Sequence, residues 1–175
     1  MGATTPASAV WDMANRLLLC VSERLAATPS GSPARAMVIP GAQVAWDQCQ
    51  CGQLTVHTRT AYPSDNFPAQ KLTGSFDKCP ATWLVVEYVI TVLRCVPVQD
   101  NRGNPPAPDA LRTAAERDLL DRHAVRRGVT CCFEGENAAL RTPRLQQEQL
   151  AVGVEGQCMG SELHVLVALR NCEDC

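Results

Sequence analysis

The chain has 175 residues, which is enough for one domain with a sizeable core and short for two. Its formal net charge of -2 argues against a protein that mainly coats nucleic acid, because such proteins usually need a basic surface. No apolar run approaches the roughly 20 residues needed to span a bilayer, so we expect no association with a membrane.

The first part of the chain predicts a helix followed by short strands. Apolar residues recur at helical spacing over residues 8–27, and Trp11 and Leu18 widen the apolar surface beyond a single stripe. A helix this apolar is expected to be covered on more than one side, by its own sheet or by a neighbouring subunit. Two short strands are predicted next, at 36–39 and 43–46.

The middle of the chain carries the strongest strand pattern. Residues 53–60 alternate in polarity and predict a half-buried strand, while residues 62–79 lack periodicity and predict a long loop. Residues 83–96 are dense in β-branched and aromatic side chains and predict a strand of about 46 Å at roughly 3.3 Å per residue. Because most strands have only about five or six residues, part of this strand is expected to pair or pack with a neighbouring chain.

The last part predicts a second helix and two strands. The helix covers residues 108–127 and is predicted to end at Gly128. The strands cover 150–154 and 162–169, and a hairpin loop at 156–160 joins them.

This order of elements predicts an α+β fold. We expect a mostly antiparallel sheet with one very long strand, two helices packed on it and a C-terminal β-hairpin. A single domain is expected over residues 1–175, with a long loop at 62–79 and a short C-terminal tail at 171–175.

The 10 cysteines allow a metal site, a disulfide framework or buried thiols. A structural zinc site usually draws on two Cys-x-x-Cys pairs, and only the last two cysteines have that spacing. We therefore expect no metal. If zinc were bound, the candidate ligands would be Cys49, Cys51, Cys172 and Cys175.

The expected topology suggests a disulfide at one end of the long strand. A strand at 53–60 that runs antiparallel to the long strand would start beside its end. That pairing would bring Cys49 or Cys51 near Cys95.

A second disulfide is suggested at the other end of that strand. A helix folded back over the sheet would return Cys131 or Cys132 toward Cys79. The alternative is that these cysteines are buried thiols packed as small apolar side chains. Cys20, on the apolar face of the first helix, is expected to be such a thiol.

We expect no enzyme, no catalytic residue and no cofactor. A cysteine enzyme would need a thiol activated by a nearby histidine or helix terminus. His57 and His164 lie in strands expected to be exposed on one face, and His123 lies among charges on a helix, so all three are expected to be solvated. Glu87 is better placed to pair with an arginine of another subunit than to act as an acid or base.

A zinc- or disulfide-stabilised binding module is the alternative from another class. It would use the arginines of the second helix, which alternate with acidic residues. Asp118 and Arg122 can pair at i, i+4, which favours a solvated helix over a binding surface. The arginines are Arg112, Arg117, Arg122, Arg126 and Arg127.

Three short phrases and the order of the elements resemble a known family. The phrases are Leu93–Pro97, Gly128–Cys132 and Gly156–Leu163, and they are similar to phrases in neck proteins of actinobacterial phages. An N-terminal helix, a meander with a long third strand, a second helix and a C-terminal hairpin resemble bacteriophage tail terminators. The best-matching stretch is 83–169.

The resemblance implies a virion protein that is assembled in the cytoplasm of the bacterial host. It implies a homo-hexameric ring that ends the tail tube and joins it to head-completion or stopper proteins, while double-stranded DNA passes through the channel without sequence-specific binding. An adaptor, stopper or other neck component is the alternative within this class. A ring needs two different surfaces that meet head to tail. The candidate interface residues are Trp11, Leu18, Trp83, Glu87, Tyr88, Phe67 and Phe76.

Overall fold

The computed structural model describes residues 6–41, 52–71, 82–134, 142–155 and 157–170. Within these residues it contains two helices and five strands. In chain order they are α1 (Pro6–Ala26), β1 (Arg35–Val38), β2 (Gln53–Ser64), β3 (Trp83–Cys95), α2 (Pro108–Cys132), β4 (Arg144–Glu155) and β5 (Cys158–Arg170). Neither of these two helices is long and apolar enough to cross a membrane.

The five strands form one mixed sheet in the order β1-β2-β3-β5-β4. The short strand β1 is parallel to β2, and every other neighbouring pair in this sheet is antiparallel. The predicted α+β class with a mostly antiparallel sheet is therefore confirmed. This order leaves β1 and β4 as the two edges of the sheet, with β3 at its centre.

The core lies between the sheet and the two helices, on the side that we call the helix face. Alternate residues of β3, among them Tyr88 and Ile90, point to the helix face and join Leu17 of α1 and Val125 of α2. Tyr88 is 0 % exposed, and its hydroxyl donates a hydrogen bond to the carbonyl oxygen of Val10 at 3.0 Å. The buried phenol is therefore satisfied by α1, which fixes the height of that helix above the sheet.

The two helices run side by side in opposite directions. The Arg16 guanidinium of α1 donates to the Cys132 carbonyl oxygen at 2.6 Å, near the end of α2. The Thr28 hydroxyl, just after α1, donates to the Asp121 carboxylate at 2.9 Å, near the middle of α2. The middle of α2 therefore lies beside the end of α1, and the first half of α2 extends past that end. The whole of α2 spans about 37 Å at 1.5 Å per residue.

The predicted end of the second helix at Gly128 is wrong, because α2 continues to Cys132. Gly128 lies where α1 approaches most closely: a Cβ added there would be 2.9 Å from the Cα of Val21. The glycine is required by helix packing and not by a helix terminus.

The strand boundaries differ from the predicted ones in three places. β2 extends through Ser64 and β4 begins at Arg144, so both are longer than expected. β5 begins at Cys158, inside the predicted hairpin loop, so Gly160 belongs to the strand. The residue must be a glycine there, because an added Cβ would collide with the Val92 carbonyl group. The predicted strand 43–46 and most of the second half of the predicted loop 62–79 lie outside the described residues.

The expectation of one exceptional strand needs correction. β3 has 13 residues, but β5 also has 13, and β2 and β4 have 12 each. β3 is hydrogen-bonded on both sides by β2 and β5 of its own chain, and its apolar residues are mostly buried on both faces of the sheet. The length of β3 therefore gives no reason to expect a neighbouring chain.

Candidate functional site

The side of the sheet opposite the helices, which we call the far face, carries a group of polar side chains. We call this group the polar cluster and define it as His57, Arg59, Glu87, Glu162 and His164. β2, β3 and β5 bring it together: His57 and His164 both pair in register with Val89, one on each side of β3. His57 is 2 % exposed and His164 is 7 % exposed, so the prediction that both are solvated is wrong.

Glu87 is the acceptor at the centre of the polar cluster. Its Oε1 lies 2.7 Å from Nδ1 of His164 and 3.5 Å from the Arg59 guanidinium, and its Oε2 accepts a hydrogen bond from the Thr60 hydroxyl at 2.9 Å. Burial by itself raises the pKa of Glu87, but the hydrogen bonds from His164 and Thr60 and the charge of Arg59 outweigh it, so the pKa lies below its ordinary value. The carboxylate is therefore held in its charged form by groups of its own chain, and its predicted pairing with another subunit is not needed.

His57 and its surroundings are less well satisfied. Burial lowers the pKa of His57 from its ordinary value of 6.5, which favours the neutral imidazole. Three buried polar atoms in this part of the far face have no hydrogen-bond partner among the described residues: Nδ1 of His57, Nε2 of His164 and Oγ1 of Thr55. Such atoms are costly to bury. Because the pKa of His57 is lowered in the fold, its protonation by acid opposes folding.

The polar cluster has the parts of an acid–base site without a nucleophile beside them. No serine or cysteine of the described residues hydrogen-bonds to either of its histidines. No group of three or more metal-binding side chains is found among the described residues, and the candidate zinc ligands Cys49, Cys51, Cys172 and Cys175 lie outside them. The geometry is that of an ion-pair network that ties three strands together.

Sequence reasoning missed this cluster because its members come together only through strand pairing. The signal in the sequence was a charge or histidine at the centre of each of three apolar strands. The register that aligns His57, Val89 and His164 could not be read from one sequence.

The disulfide prediction is wrong for the residues that the structure describes. Cys132 is bonded to Cys20 across the two helices, with their Cα atoms 5.4 Å apart, and Cys95 and Cys131 are thiols. Cys20 is therefore not the buried thiol that was expected. α2 does return its end toward the start of β3, since Arg144, which stacks on Phe133, pairs with Val167 and Val167 pairs with Val86. Its last turn also packs against α1, however, and there Cys132 is bonded to Cys20.

Other cysteines fall partly outside the described residues. Cys158 is also in a disulfide, and its partner is not one of the other described cysteines. The predicted partners Cys49, Cys51 and Cys79 all lie outside the described residues.

The predicted interface residues divide into exposed and buried groups. Trp11 is 56 % exposed and Leu18 is partly exposed, so both remain available on α1. Tyr88 belongs to the core and has no exposed surface with which to contact another subunit. Trp83 and Phe67 pack on the far face against Val85, Leu166 and Ala168. Phe76 lies outside the described residues.

Two of the exposed apolar residues, Trp11 and Leu119, lie on opposite flanks of the helix pair. Cys20 faces α2, because it is bonded to Cys132. Trp11 lies nine residues earlier, which is two and a half helical turns, so its side chain projects from the opposite side of α1. Leu119 lies nine residues before Gly128, which touches α1, so it projects from the opposite side of α2 and is 67 % exposed. The helix layer therefore has an apolar residue at each outer flank.

The two edge strands of the sheet, β1 and β4, lie on the same two sides of the molecule as these flanks. α1 contacts β1 and β2, and Gln146 of β4 donates hydrogen bonds to the carbonyl oxygen of Arg126 and the hydroxyl of Thr130 in α2. The Trp11 flank therefore lies on the β1 side of the molecule and the Leu119 flank on the β4 side. Leu145 and Leu150 of β4 add exposed apolar surface to the second side.

No protein-family model and no curated protein sequence matches this chain. Function is therefore inferred from the geometry described above and from the resemblance noted in the sequence.

Proposed function

We propose that this protein is a structural subunit that assembles with copies of itself through two different sides. The observation that carries the proposal is the placement of Trp11 and Leu119 on opposite flanks of the helix pair. Contiguous exposed apolar surface marks interfaces, and in this proposal Trp11 and Leu119 are the centres of two such surfaces. Two different apolar sides that meet head to tail form a heterologous contact, which closes into a ring when the rotation between copies is suitable.

Within this class we propose a bacteriophage tail terminator, a ring at the head-proximal end of the tail tube. Support comes from the order of elements, in which α1 precedes three strands, α2 follows them, and β4 and β5 form a C-terminal antiparallel pair. Further support comes from the phrases in residues 93–97, 128–132 and 156–163 that resemble phage neck proteins. The ring is a hexamer in this proposal.

The partners follow from that position in the virion. One surface of the ring meets the tail tube protein and stops its polymerisation, and the other meets a head-completion or stopper protein. Double-stranded DNA passes through the channel without sequence-specific contacts. Assembly takes place in the cytoplasm of the bacterial host, before the particle is released.

In this proposal, the edge strands of the sheet supply a second contact between neighbouring subunits, beside the contact between their helices. β1 is a short parallel edge strand, and β4 is a long antiparallel one. Edge strands carry unpaired backbone groups that can bond to another chain. In the proposed ring, the β4 side of one subunit lies beside the β1 side of the next, so that sheet and helix layers both continue around the ring.

The test of the proposed function is the length of tail tubes assembled in the presence of the protein. Purified tail tube protein that polymerises without this chain should give tubes of uncontrolled length, whose ends are open in electron micrographs. Addition of the protein should place one ring at one end of each tube and stop growth there. Tubes that grow equally long, with bare ends, at every concentration of added protein would contradict the terminator assignment.

A disulfide-stabilised binding module is a second candidate. It is favoured by the Cys20–Cys132 bond and by an open groove of about 410 Å³ beside the first half of α2, which Val96, Ala114 and Met159 help to line. A module of this kind would remain a monomer at all concentrations and would leave tube growth unchanged. The oligomeric state therefore separates the two candidates.

A further inference from the structure

The two edge strands of the sheet run in opposite directions. β1 is parallel to β2, and three antiparallel pairings then lead from β2 through β3 and β5 to β4. These three reversals leave β4 antiparallel to β1. When β1 of a second copy continues the sheet beyond β4, the two strands therefore form an antiparallel pair.

The backbone groups that β1 turns outward follow from its bonds to β2. The N–H of Ile39, just after β1, donates to the Val56 carbonyl oxygen at 3.0 Å. Alternate residues of a strand bond to the same neighbour. Ala36 and Val38 therefore turn their N–H and C=O groups away from β2, toward the open edge.

The same alternation can be followed across the sheet. Val56 faces β1, so the residues on either side of it bond to β3, where their partners are Val89 and Thr91. The residues of β3 that alternate with these two bond to β5. Val96, just past the end of β3, has this phase, and its N–H donates to the Gln157 carbonyl oxygen at 2.9 Å.

At the far edge, β4 turns two residues outward. In β5, the residues that bond to β3 alternate with those that bond to β4, so Leu150 and Val152 are the residues of β4 that bond to β5. Gln149 and Ala151 consequently turn their N–H and C=O groups away from the sheet. Outside the sheet, no backbone hydrogen bond of these groups, or of the outward groups of β1, is found among the described residues.

The regular part of each edge has the same length. β1 has four residues. In β4, the pairing with β5 is irregular between Gln146 and Gln149 and again between Val152 and Glu155, which leaves 149–152 as the longest regular stretch. Bulges of this kind keep an edge from pairing along its whole length. A strand as short as β1 is therefore the partner that fits this edge.

We propose that residues 149–152 of one subunit form an antiparallel ladder with β1 of the next copy. Gln149 exchanges backbone hydrogen bonds with Val38 of that copy, and Ala151 does so with Ala36, because this register brings the outward groups together. The inference rests on the proposed function, since it takes assembly through two different sides as given. It adds which strands pair, in which direction and in which register.

The side chains suit this register. Leu150 is 43 % exposed and lies on the far face beside Glu162, and Met37 lies on the same face beside Thr55. In the ladder these two apolar residues are directly opposite each other. Their contact covers apolar surface that a single subunit leaves in water.

A pair of cysteines reports the register. Leu150 and Met37 form a pair without hydrogen bonds, in which the Cα atoms are about 4.5 Å apart, a distance that a disulfide can span. The Met37→Cys/Leu150→Cys variant, oxidised with glutathione disulfide, should shift on non-reducing gels from one chain to a covalent ladder of up to six chains. Wild type treated in the same way shows what the native cysteines do by themselves.

The matched control moves one cysteine by a single residue. In Ala36→Cys/Leu150→Cys, the two cysteines lie on opposite faces of the sheet, because successive side chains of a strand alternate. This variant should cross-link no more than the wild type.

A second variant tests the backbone bonds. Ala151→Pro removes an outward N–H that the sheet of a single subunit does not use, so the melting temperature should change little. The protein concentration for half-assembly should rise at least about fivefold, as expected for one lost hydrogen bond in each contact. Ala151→Ser keeps the N–H and should assemble as the wild type does. If Ala151→Pro does not fold, the cysteine pair still decides.

The outcomes separate this inference from the proposed function. A wild type that stays monomeric overturns the proposed function and the ladder with it. A Met37→Cys/Leu150→Cys variant that assembles under reducing conditions, but cross-links no more than wild type when oxidised, keeps the ring and overturns the ladder. Cross-linked dimers of the single Leu150→Cys variant would show that β4 pairs with β4 of another copy, and would overturn the choice of β1.

Discussion

At the scale of single residues, the polar cluster makes the fold sensitive to acid. His57 faces Arg59, Glu87, Glu162 and His164, and burial keeps it neutral. Its pKa in the folded state lies below the ordinary value of 6.5, so the unfolded chain binds the proton first. The contribution of His57 to stability is therefore complete above pH 6.5 and is lost as the pH falls through that value toward the folded pKa.

We expect the free energy of unfolding to fall between pH 7.5 and pH 5.5, with a slope of at most about 1.4 kcal/mol per pH unit from this one proton. A second loss should begin below pH 4.5, because Glu87 then takes up a proton in the unfolded chain, while its lowered pKa keeps it charged in the fold. Urea titrations at each pH measure both effects.

The His57→Gln variant serves to assign the first loss. It should flatten the dependence above pH 5 and leave the loss below pH 4.5. The exposed His123→Gln variant is the matched control and should keep both. A wild-type stability that is constant from pH 7.5 to pH 5.5 would show that burial of His57 does not matter.

The Cys20–Cys132 bond is the second residue-scale feature with a measurable consequence. It joins two helices over a sequence separation of 112 residues, so it restricts the unfolded chain strongly. Replacement of both Cys20 and Cys132 by serine should lower the free energy of unfolding by about 2–4 kcal/mol under oxidising conditions.

The control for this measurement is Cys131→Ser, which removes the neighbouring thiol and should change stability little. Under reducing conditions, the wild type and the double variant should have nearly equal stability. A double variant as stable as the oxidised wild type would mean that the bond does not form in solution.

At the scale of secondary-structure elements, the contact of α1 with α2 depends on Gly128. A Cβ there would be 2.9 Å from the Cα of Val21 and 3.2 Å from the carbonyl oxygen of Cys20, and neither backbone atom can move aside like a flexible side chain. We expect Gly128→Ala to destabilise the fold by a net amount of about 1 kcal/mol or more, because the clash exceeds the gain in helix propensity.

Gly153→Ala is the matched control, since nothing lies within 4 Å of a Cβ added in that strand. Thermal unfolding of the two variants beside the wild type decides the point. A Gly128→Ala variant with a raised melting temperature would mean that α1 and α2 are farther apart than the 2.9 Å approach at Gly128 implies.

The elements themselves could largely be predicted from the sequence, and their contacts could not. The periodicity of α1, β2, β3 and α2 predicted each of them to within a few residues at most ends. Gly128 was assigned to a helix end because a glycine that ends a helix and a glycine that admits a neighbouring helix look the same in one sequence. The bond from Cys132 to Cys20 depends on that helix contact, and local patterns carry no information about it.

The same limit applies to the candidate site. Glu87 was noticed as a lone charge in an apolar strand, but its partners Arg59 and His164 come from two other strands. The register across β3 decides that they meet. Histidines in alternating strands were assigned to a solvated face because nothing in the sequence shows that the far face is buried.

At the scale of the whole molecule, the proposed assembly depends on two different sides that bind each other. The sheet order places β1 and β4 at opposite edges, and the helix layer places Trp11 and Leu119 on the same two sides. An aspartate at either position would put a charge into the interface and should prevent ring closure. Each single variant would keep one intact side.

The most direct measurement of this claim is the mass of the particles formed by Trp11→Asp and Leu119→Asp, alone and mixed. The wild type should form a ring of about 113 kDa, six times the 18.9 kDa of one chain. Each variant alone should be a monomer, while the equimolar mixture should form a dimer, because the intact side of one variant meets the intact side of the other. Leu120→Asp, next to Leu119 but turned 100° around α2, should still form the ring. A wild type that stays at the mass of one chain at every concentration, or variants that assemble as it does, would contradict the proposed assembly.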